Sequence, residues 1–463
     1  MRPFIGTVVE APLRGVGGVI VIACLATGAL AAQERSSEPE VDDPFSALEQ
    51  LDREALQSAV LERNPQLAAA RAALLAAEAR ADRAAGLEDL SVRYGLAPLS
   101  IGSSAVGFGY EVQAMQMLPF RGKRPLRRAI AAAEAEGTAE ELSALRLALA
   151  EQASHRYDDY YLVHRAQEIT AEHVALLEDL FRAATGRYAA GLGAQQDPLQ
   201  AEVELAHLQH DLVILESEEE AIRAEINALL HRAAEAPLPP PLATLPLPEA
   251  FLPEEERLLE QALVARPELR AADAAIRARE AELELARLGG RPDFGVGAGY
   301  SSMWGEQEHR YMVGGSLSWP VWRKRVRAAT IEAEARVLEV ESSRQAVVDE
   351  IRRDVRVAVA RLREAHHVVD IYRSRLLPAT RDQVRAARTG YESGRNDFVA
   401  LIGAARGLRS LELRYHEALA SYYRGRAALE RAVGAGRASG SRVTAANDRT
   451  LDGPSIPTTG VEP

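Results

Sequence analysis

Gly107–Arg124 reads GFGYEVQAMQMLPFRGKR, and Tyr311–Arg325 reads YMVGGSLSWPVWRKR. Each stretch alternates between two kinds of residue and then stops at a proline, Pro119 or Pro320. Each passes through a basic cluster into a long pattern rich in alanine and arginine. Lys123 and Lys324 are the chain's two lysines, and they occupy matching places 201 residues apart. A strand feeding a long helix, used twice, is what these stretches predict.

In the first stretch Val106, Phe108, Tyr110, Val112 and Ala114 share one face, and Gly107, Gly109, Glu111 and Gln113 share the other. Alternation with a period of two is the pattern of a strand with two different faces. Strands are expected over about 90–99 and 106–118, on either side of Ile101-Gly102-Ser103-Ser104. A second pair is expected over about 293–302 and 309–319. There Phe294, Val296, Ala298 and Tyr300 alternate with glycines, and Tyr311, Val313, Leu317 and Trp319 share a face. Long helices follow over 124–185 and 324–389. Sixty-two helical residues make a rod of roughly 90 Å. In the second rod Val348, Ile351, Val355, Val359 and Leu362 recur at spacings of three and four, a coiled-coil-like seam. Pro378 is expected to break or kink that rod.

Four landmarks repeat in order at a nearly constant spacing. Pro65 returns as Pro267, Pro119 as Pro320, Lys123 as Lys324, and Tyr188-Ala189-Ala190-Gly191 as Tyr391-Glu392-Ser393-Gly394. The chain therefore divides into a first repeat over 47–235, a linker over 236–253 with seven prolines, and a second repeat over 254–433. A polar leader over 32–46 precedes them, and a Gly/Ser/Pro/Thr-rich tail over 434–463 follows, expected to be disordered.

Arg2 and Arg14, then an apolar run from Val16 to Leu30 and small residues at Ala31 and Ala32, form a secretory signal pattern over 1–31. Val21-Ile22-Ala23-Cys24 is also similar to a lipoprotein box, in which Cys24 would carry a lipid. Both readings stand on the sequence. Cys24 is the single cysteine, so the body has no disulfide and no thiolate metal site. The net charge of −12 is spread along the chain, which argues against a nucleic-acid partner. No phosphate loop, nucleophile elbow or zincin motif is present. His207 and His210 stand three apart on one helix, but no further ligand completes a metal site. The chain reads as no enzyme, with neither catalytic nor metal residues and no cofactor.

Past the signal no uninterrupted apolar run of about 18 residues occurs, so no transmembrane helix is expected. Strands that cross a membrane give a weaker signal. Four strands cannot close a barrel, and lipid forbids an open edge because unpaired backbone groups have no water to bond. If these strands span a membrane, the chain must oligomerise: two copies give about eight strands, three about twelve.

Taken together, these residues resemble the TolC-like outer-membrane efflux channels over roughly Leu48–Val433. The resemblance is carried by Asn64-Pro65, Pro119-Phe120-Arg121-Gly122-Lys123-Arg124, Arg291-Pro292-Asp293-Phe294 and the two Tyr-x-x-Gly turns. It implies a mainly α fold with a membrane β-barrel portion: duplicated helix–β-hairpin–long helix repeats, assembled as a homotrimer. The trimer would have a 12-stranded β-barrel in the bacterial outer membrane, continued by a 12-helix α-barrel in the periplasm. The implied function is the passive outer-membrane channel of a tripartite efflux system, exporting small molecules or metal ions. Its implied partners are a periplasmic adaptor, an inner-membrane pump and outer-membrane lipid. The Pro-Phe-Arg-Gly-Lys-Arg form is similar to the branch serving resistance-nodulation-division pumps, heavy-metal exporters included. The outer-membrane component of type I protein secretion and a periplasmic coiled-coil adaptor without a pore are the alternatives. An adaptor would carry one helical hairpin and no duplicated strand pairs.

In that family the Tyr-x-x-Gly turns lie at the periplasmic tip. The resemblance thus makes Tyr188, Gly191, Asp197, Tyr391, Gly394 and Asp397 the candidates for the tip and for adaptor docking. Asp197 also reads as a plain N-cap before Pro198. Where some members carry gating aspartates, this chain has Ala400 and Gly403. At the passage from strand to helix stand Pro119, Lys123, Arg124, Pro320, Lys324 and Arg325. They read as solvated helix starts or as contacts to lipid phosphates.

Overall fold

The computed structural model describes residues 44–435, apart from 47, 103, 105, 106, 249–253 and 306. The signal segment, Cys24, most of the polar leader, Val106 and the tail from 436 onward lie outside the described residues.

The same order of elements occurs twice. Helices α1 (Arg53–Arg63) and α2 (Pro65–Ala84), strands β1 (Ser91–Ala97) and β2 (Gly109–Leu118), and helices α3 (Lys123–Ala189) and α4 (Gln196–Leu229) form the first set. Helices α5 (Glu255–Ala265) and α6 (Pro267–Leu288), strands β3 (Asp293–Ser301) and β4 (Tyr311–Ser318), and helices α7 (Arg323–Ile371), α8 (Leu377–Glu392) and α9 (Phe398–Val433) form the second. The helix starts follow local chemistry. Asn64 caps α2 by accepting the backbone N–H of Gln66 at 2.9 Å, with Pro65 in the first turn where its missing N–H costs nothing. Helix α3 holds 67 residues, a rod of roughly 100 Å at 1.5 Å per residue. Its counterpart is interrupted by one π-helical stretch, Tyr372–Leu376, immediately before Pro378. The ring of Pro378 removes a backbone donor, and the wider turn takes up the misfit.

The four strands form one antiparallel sheet in the order β1-β2-β3-β4. Its register puts Tyr94 opposite Val112, Val112 opposite Tyr300, and Tyr300 opposite Tyr311. One face therefore carries Val92, Tyr94, Val112, Val296, Val313 and Leu317, all exposed. An aromatic ladder crosses that face: the Tyr110 and Tyr300 ring centroids lie 5.6 Å apart, and those of Tyr300 and Tyr311 5.2 Å apart. The opposite face carries Arg93, Glu111, Gln113, Ser316 and the glycines of β3. Gly297 is obligatory there, because a Cβ would stand 2.8 Å from the Ala114 carbonyl oxygen on β2.

Helix α3 packs on α2, α4, α6 and α9, and α7 packs on α6 and α9. The main core lies where α1, α3, α5, α7 and α9 meet, around Leu56, Val60, Tyr157, Tyr161, Ile351 and Val355. Residues 236–248 of the proline-rich linker run without helix across this core. Leu51 bridges to Pro241, Tyr160 donates to the Pro239 carbonyl at 3.3 Å and Tyr423 to that of Pro246 at 2.9 Å, while Leu245 is buried. No helix among the described residues is long and apolar enough to cross a membrane.

Candidate functional site: the paired turns and the strand-to-helix junctions

The two rods end in the same turn. Gly191 (φ 72°) and Gly394 (φ 74°) adopt the left-handed conformation that ends a helix without Cβ strain. Leu192 N–H donates to Arg187 O at 2.8 Å and Arg395 N–H to Gly390 O at 2.8 Å, the long return bond of a Schellman motif. Beneath them lies a second apolar cluster including Leu177, Leu180, Ala201, Leu208, Leu401 and Ile402.

The side chains of the two turns are not used alike. Tyr391 is 4% exposed, packs at a tilt against Phe398 with centroids 5.1 Å apart, and donates its hydroxyl to Asp197 Oδ2 at 3.2 Å. Burial, with the Asp197 carboxylate beside it, holds the Tyr391 hydroxyl above its ordinary pKa. Tyr188, its counterpart, is 45% exposed. Asp197 is not the N-cap its place before Pro198 suggests. It is the second residue of α4, and its carboxylate is turned toward Tyr391 across the turn pair, 194 residues away in sequence. The N-cap is Asp397, which accepts the Ala400 N–H at 2.9 Å at the start of α9.

Arg187 joins the two turns, and sequence reasoning missed it. Its guanidinium donates to Glu392 O and to Leu192 O, each at 3.1 Å, and lies 5.0 Å from the Tyr391 ring centroid. One signal was available: the second turn has Gly390 where the first has Arg187. A side chain at Gly390 would run into Asn396. Further along, α9 is tied to its neighbours by ion pairs. Arg406 pairs with Glu204 and Arg409 with Asp211, both acids on α4. Glu412 receives His173 from α3 at 3.2 Å and Arg381 from α8 at 3.1 Å.

The strand-to-helix junctions differ as well. Pro119 ends β2, and Gly122 (φ 103°) turns the chain into α3. Reading the whole Arg121–Arg124 cluster as a solvated helix start is wrong for Lys123, which is 7% exposed. Its Nζ donates to Asp293 Oδ1 at 2.8 Å, to Asp293 Oδ2 at 2.9 Å and to Arg291 O at 3.2 Å. The cause is the seam between the repeats: β2 pairs with β3, so the first residue of β3 faces the first residue of α3. Asp293 Oδ1 also accepts the Phe120 N–H at 2.7 Å. Arg124 donates to Ala85 O at the end of α2 at 2.6 Å. In the second junction Pro320 ends β4, and Lys324 and Arg325 are exposed beside the exposed rings of Trp319 and Trp322. The structure thus brings Asp197 together with Tyr391, and Lys123 with Asp293, and leaves Tyr188, Lys324 and Arg325 at the surface.

This architecture has known relatives. The family model described as outer membrane efflux protein matches residues 258–435. The outer-membrane channel OprN has a similar structure, with a TM-score of 0.66 and 22% identity over 83% of this chain and 90% of that one. VceC, an outer membrane protein of Vibrio cholerae, gives a TM-score of 0.69 and 17% identity over 83% and 96% of the two chains. The open state of the MtrE outer membrane channel of Neisseria gonorrhoeae gives 0.70 and 19% over 83% and 90%. No curated protein sequence matches the chain. The chain has the fold of the outer-membrane efflux channels, and its second repeat carries the sequence pattern of that family.

Proposed function

We propose that the chain is the passive outer-membrane channel of a tripartite efflux system, acting as a homotrimer that docks on a periplasmic adaptor and an inner-membrane pump. One observation carries this reading. A four-stranded sheet with one apolar exposed face and, among the described residues, two unpaired edges continues into two rods of roughly 100 Å. An apolar belt of aromatic and aliphatic side chains suits lipid, and unpaired edges do not, so closure needs further copies. Three copies supply about twelve strands, enough for a lumen lined by the glycine-rich polar face.

In this reading the paired turns are the periplasmic end. Tyr188, Gly191 and Gly394 would present the docking surface to the adaptor, while Asp197, Tyr391 and Asp397 would hold the turns closed. Opening would then separate α8 and α9 from α4 at the Arg406 and Arg409 pairs. Energy and choice of substrate would come from the pump. The strand-to-helix junctions would lie at the inner rim of the membrane, where Arg325 and Arg121 would meet lipid phosphates.

The test is conductance. Full-length protein extracted in detergent and added to a planar bilayer is expected to give stepwise channel openings. Asp197→Ala, which frees the Tyr391 hydroxyl, is expected to raise the open fraction. A water-soluble monomer with no conductance would overturn the channel reading.

A further inference from the structure

The sheet pairs β2 with β3 inside the chain and, among the described residues, leaves the outer edges of β1 and β4 unpaired. The duplication says what those edges want. Along the two junctions, residues of the second repeat are those of the first shifted by 201 positions, as Pro119 to Pro320 and Lys123 to Lys324 show. The two hairpins share one pairing scheme, and with β4 aligned to β2 their registers align β3 to β1 with a shift of 204. Gly290 then falls on Gly86, and Asp293 falls on Asp89.

Lys123 and Asp293 close the helix end of the β2–β3 seam. Their counterparts are Lys324 and Asp89. Both are exposed, and among the described residues neither side chain makes a hydrogen bond or ion pair. Glu88, beside Asp89, is engaged by Arg127 at 3.3 Å. The pair that seals the internal seam therefore exists a second time, divided between the two ends of the sheet.

Where copies of the chain meet edge to edge, as the proposed channel requires, we propose that β4 and the neighbouring β1 take the register of the internal β2–β3 seam, and that Lys324 of one copy closes on Asp89 of the next. Transferred to the free edges, that register sets Leu317 opposite Val92, and Val313 opposite Leu96. All four side chains lie on the apolar face already described, so the belt crosses the seam unbroken. A slip of one residue would turn one strand's apolar side chains to the polar face. A slip of two would keep the faces but move Lys324 and Asp89 apart by about 7 Å. The charge pair is thus the device that selects among registers the faces alone permit. By the same transfer Asp89 accepts the Val321 N–H, as Asp293 accepts that of Phe120.

This inference deepens the proposed oligomeric channel and rests on it. The test uses full-length protein in detergent, with Val92→Cys and Leu317→Cys combined and with each single variant as a control for Cys24. Mild oxidation is expected to give covalent multimers for the double variant alone. Val92→Cys with Val313→Cys, about 14 Å out of register, is expected to give none. Separately, Lys324→Glu is expected to weaken association by about tenfold at each seam, the loss of one close charge pair per seam. Adding Asp89→Lys is expected to restore it. Multimers linked through the 92/313 pair would overturn the register while leaving the oligomer standing. Lys324→Glu without effect on association would overturn the ion pair. A monomer by size, with no covalent multimer from either pair, would overturn the oligomeric reading itself.

Discussion

The two repeats share a plan but not the fate of equivalent side chains. At the junctions, Lys123 is buried against Asp293 while Lys324 is exposed. At the turns, Tyr391 is buried on Asp197 while Tyr188 faces outward, and Asp397 is left to cap its own helix. At the turns it is the second repeat whose tyrosine finds its partner inside the chain; at the junctions it is the first repeat, and there the difference follows from strand position. The first repeat finds its partner at the β2–β3 seam inside the same chain, whereas the second repeat's corresponding edge ends in the open. The closed side of the duplicated chain is thus the template for the pairing proposed at its open side.

Breaking the closed junction should have the largest effect. Lys123→Met leaves the Asp293 carboxylate, about one-third exposed, without its cation. A buried pair broken on one side costs about 3–5 kcal/mol, and partial exposure reduces this to about 2–3 kcal/mol. Amide hydrogen exchange across Phe120–Leu126 should rise accordingly. Lys324→Met should leave exchange at the start of α7 unchanged in the isolated chain and act only on association. Equal effects at both junctions would remove the distinction.

The turns come next. Tyr391→Phe deletes the donor to a buried carboxylate, a loss of about 1–3 kcal/mol of local stability. Exchange or limited proteolysis near Gly191 and Gly394 should report it. Tyr188→Phe should stay within about 0.5 kcal/mol, as exposed substitutions do. Asp397→Ala, which removes one cap at about 1 kcal/mol, falls between these two and should loosen only the first turn of α9. Asp197→Ala should loosen the second turn, through Tyr391, rather than the start of α4. If Asp197→Ala instead frays α4, the side chain is acting as a cap after all.

Much of this was legible in the sequence because the signals are local. Period-two alternation before Pro119 and Pro320, Asn64 before Pro65, and glycines after Tyr188 and Tyr391 each act within a few residues. The pairing of Lys123 with Asp293 was not legible, because it depends on which strand lies beside β2, 175 or more residues downstream. Two lysines in an arginine-rich chain marked the positions without naming their partners. Asp197 misled for the same reason. A carboxylate before a proline has the local chemistry of a cap, and only the meeting of α4 with the second turn gives it Tyr391. Arg187 sat beside a residue already singled out, but its acceptors are backbone carbonyls on both turns, which no composition or spacing encodes.

The proposed seam gives the chain's open edges to other copies of itself, held by Lys324 and Asp89. Native mass measurement of the full-length protein in detergent decides whether it forms. Three copies per particle, reduced to fewer by Lys324→Glu and restored by adding Asp89→Lys, is the predicted result. A particle of one copy, unchanged by either substitution, would contradict it.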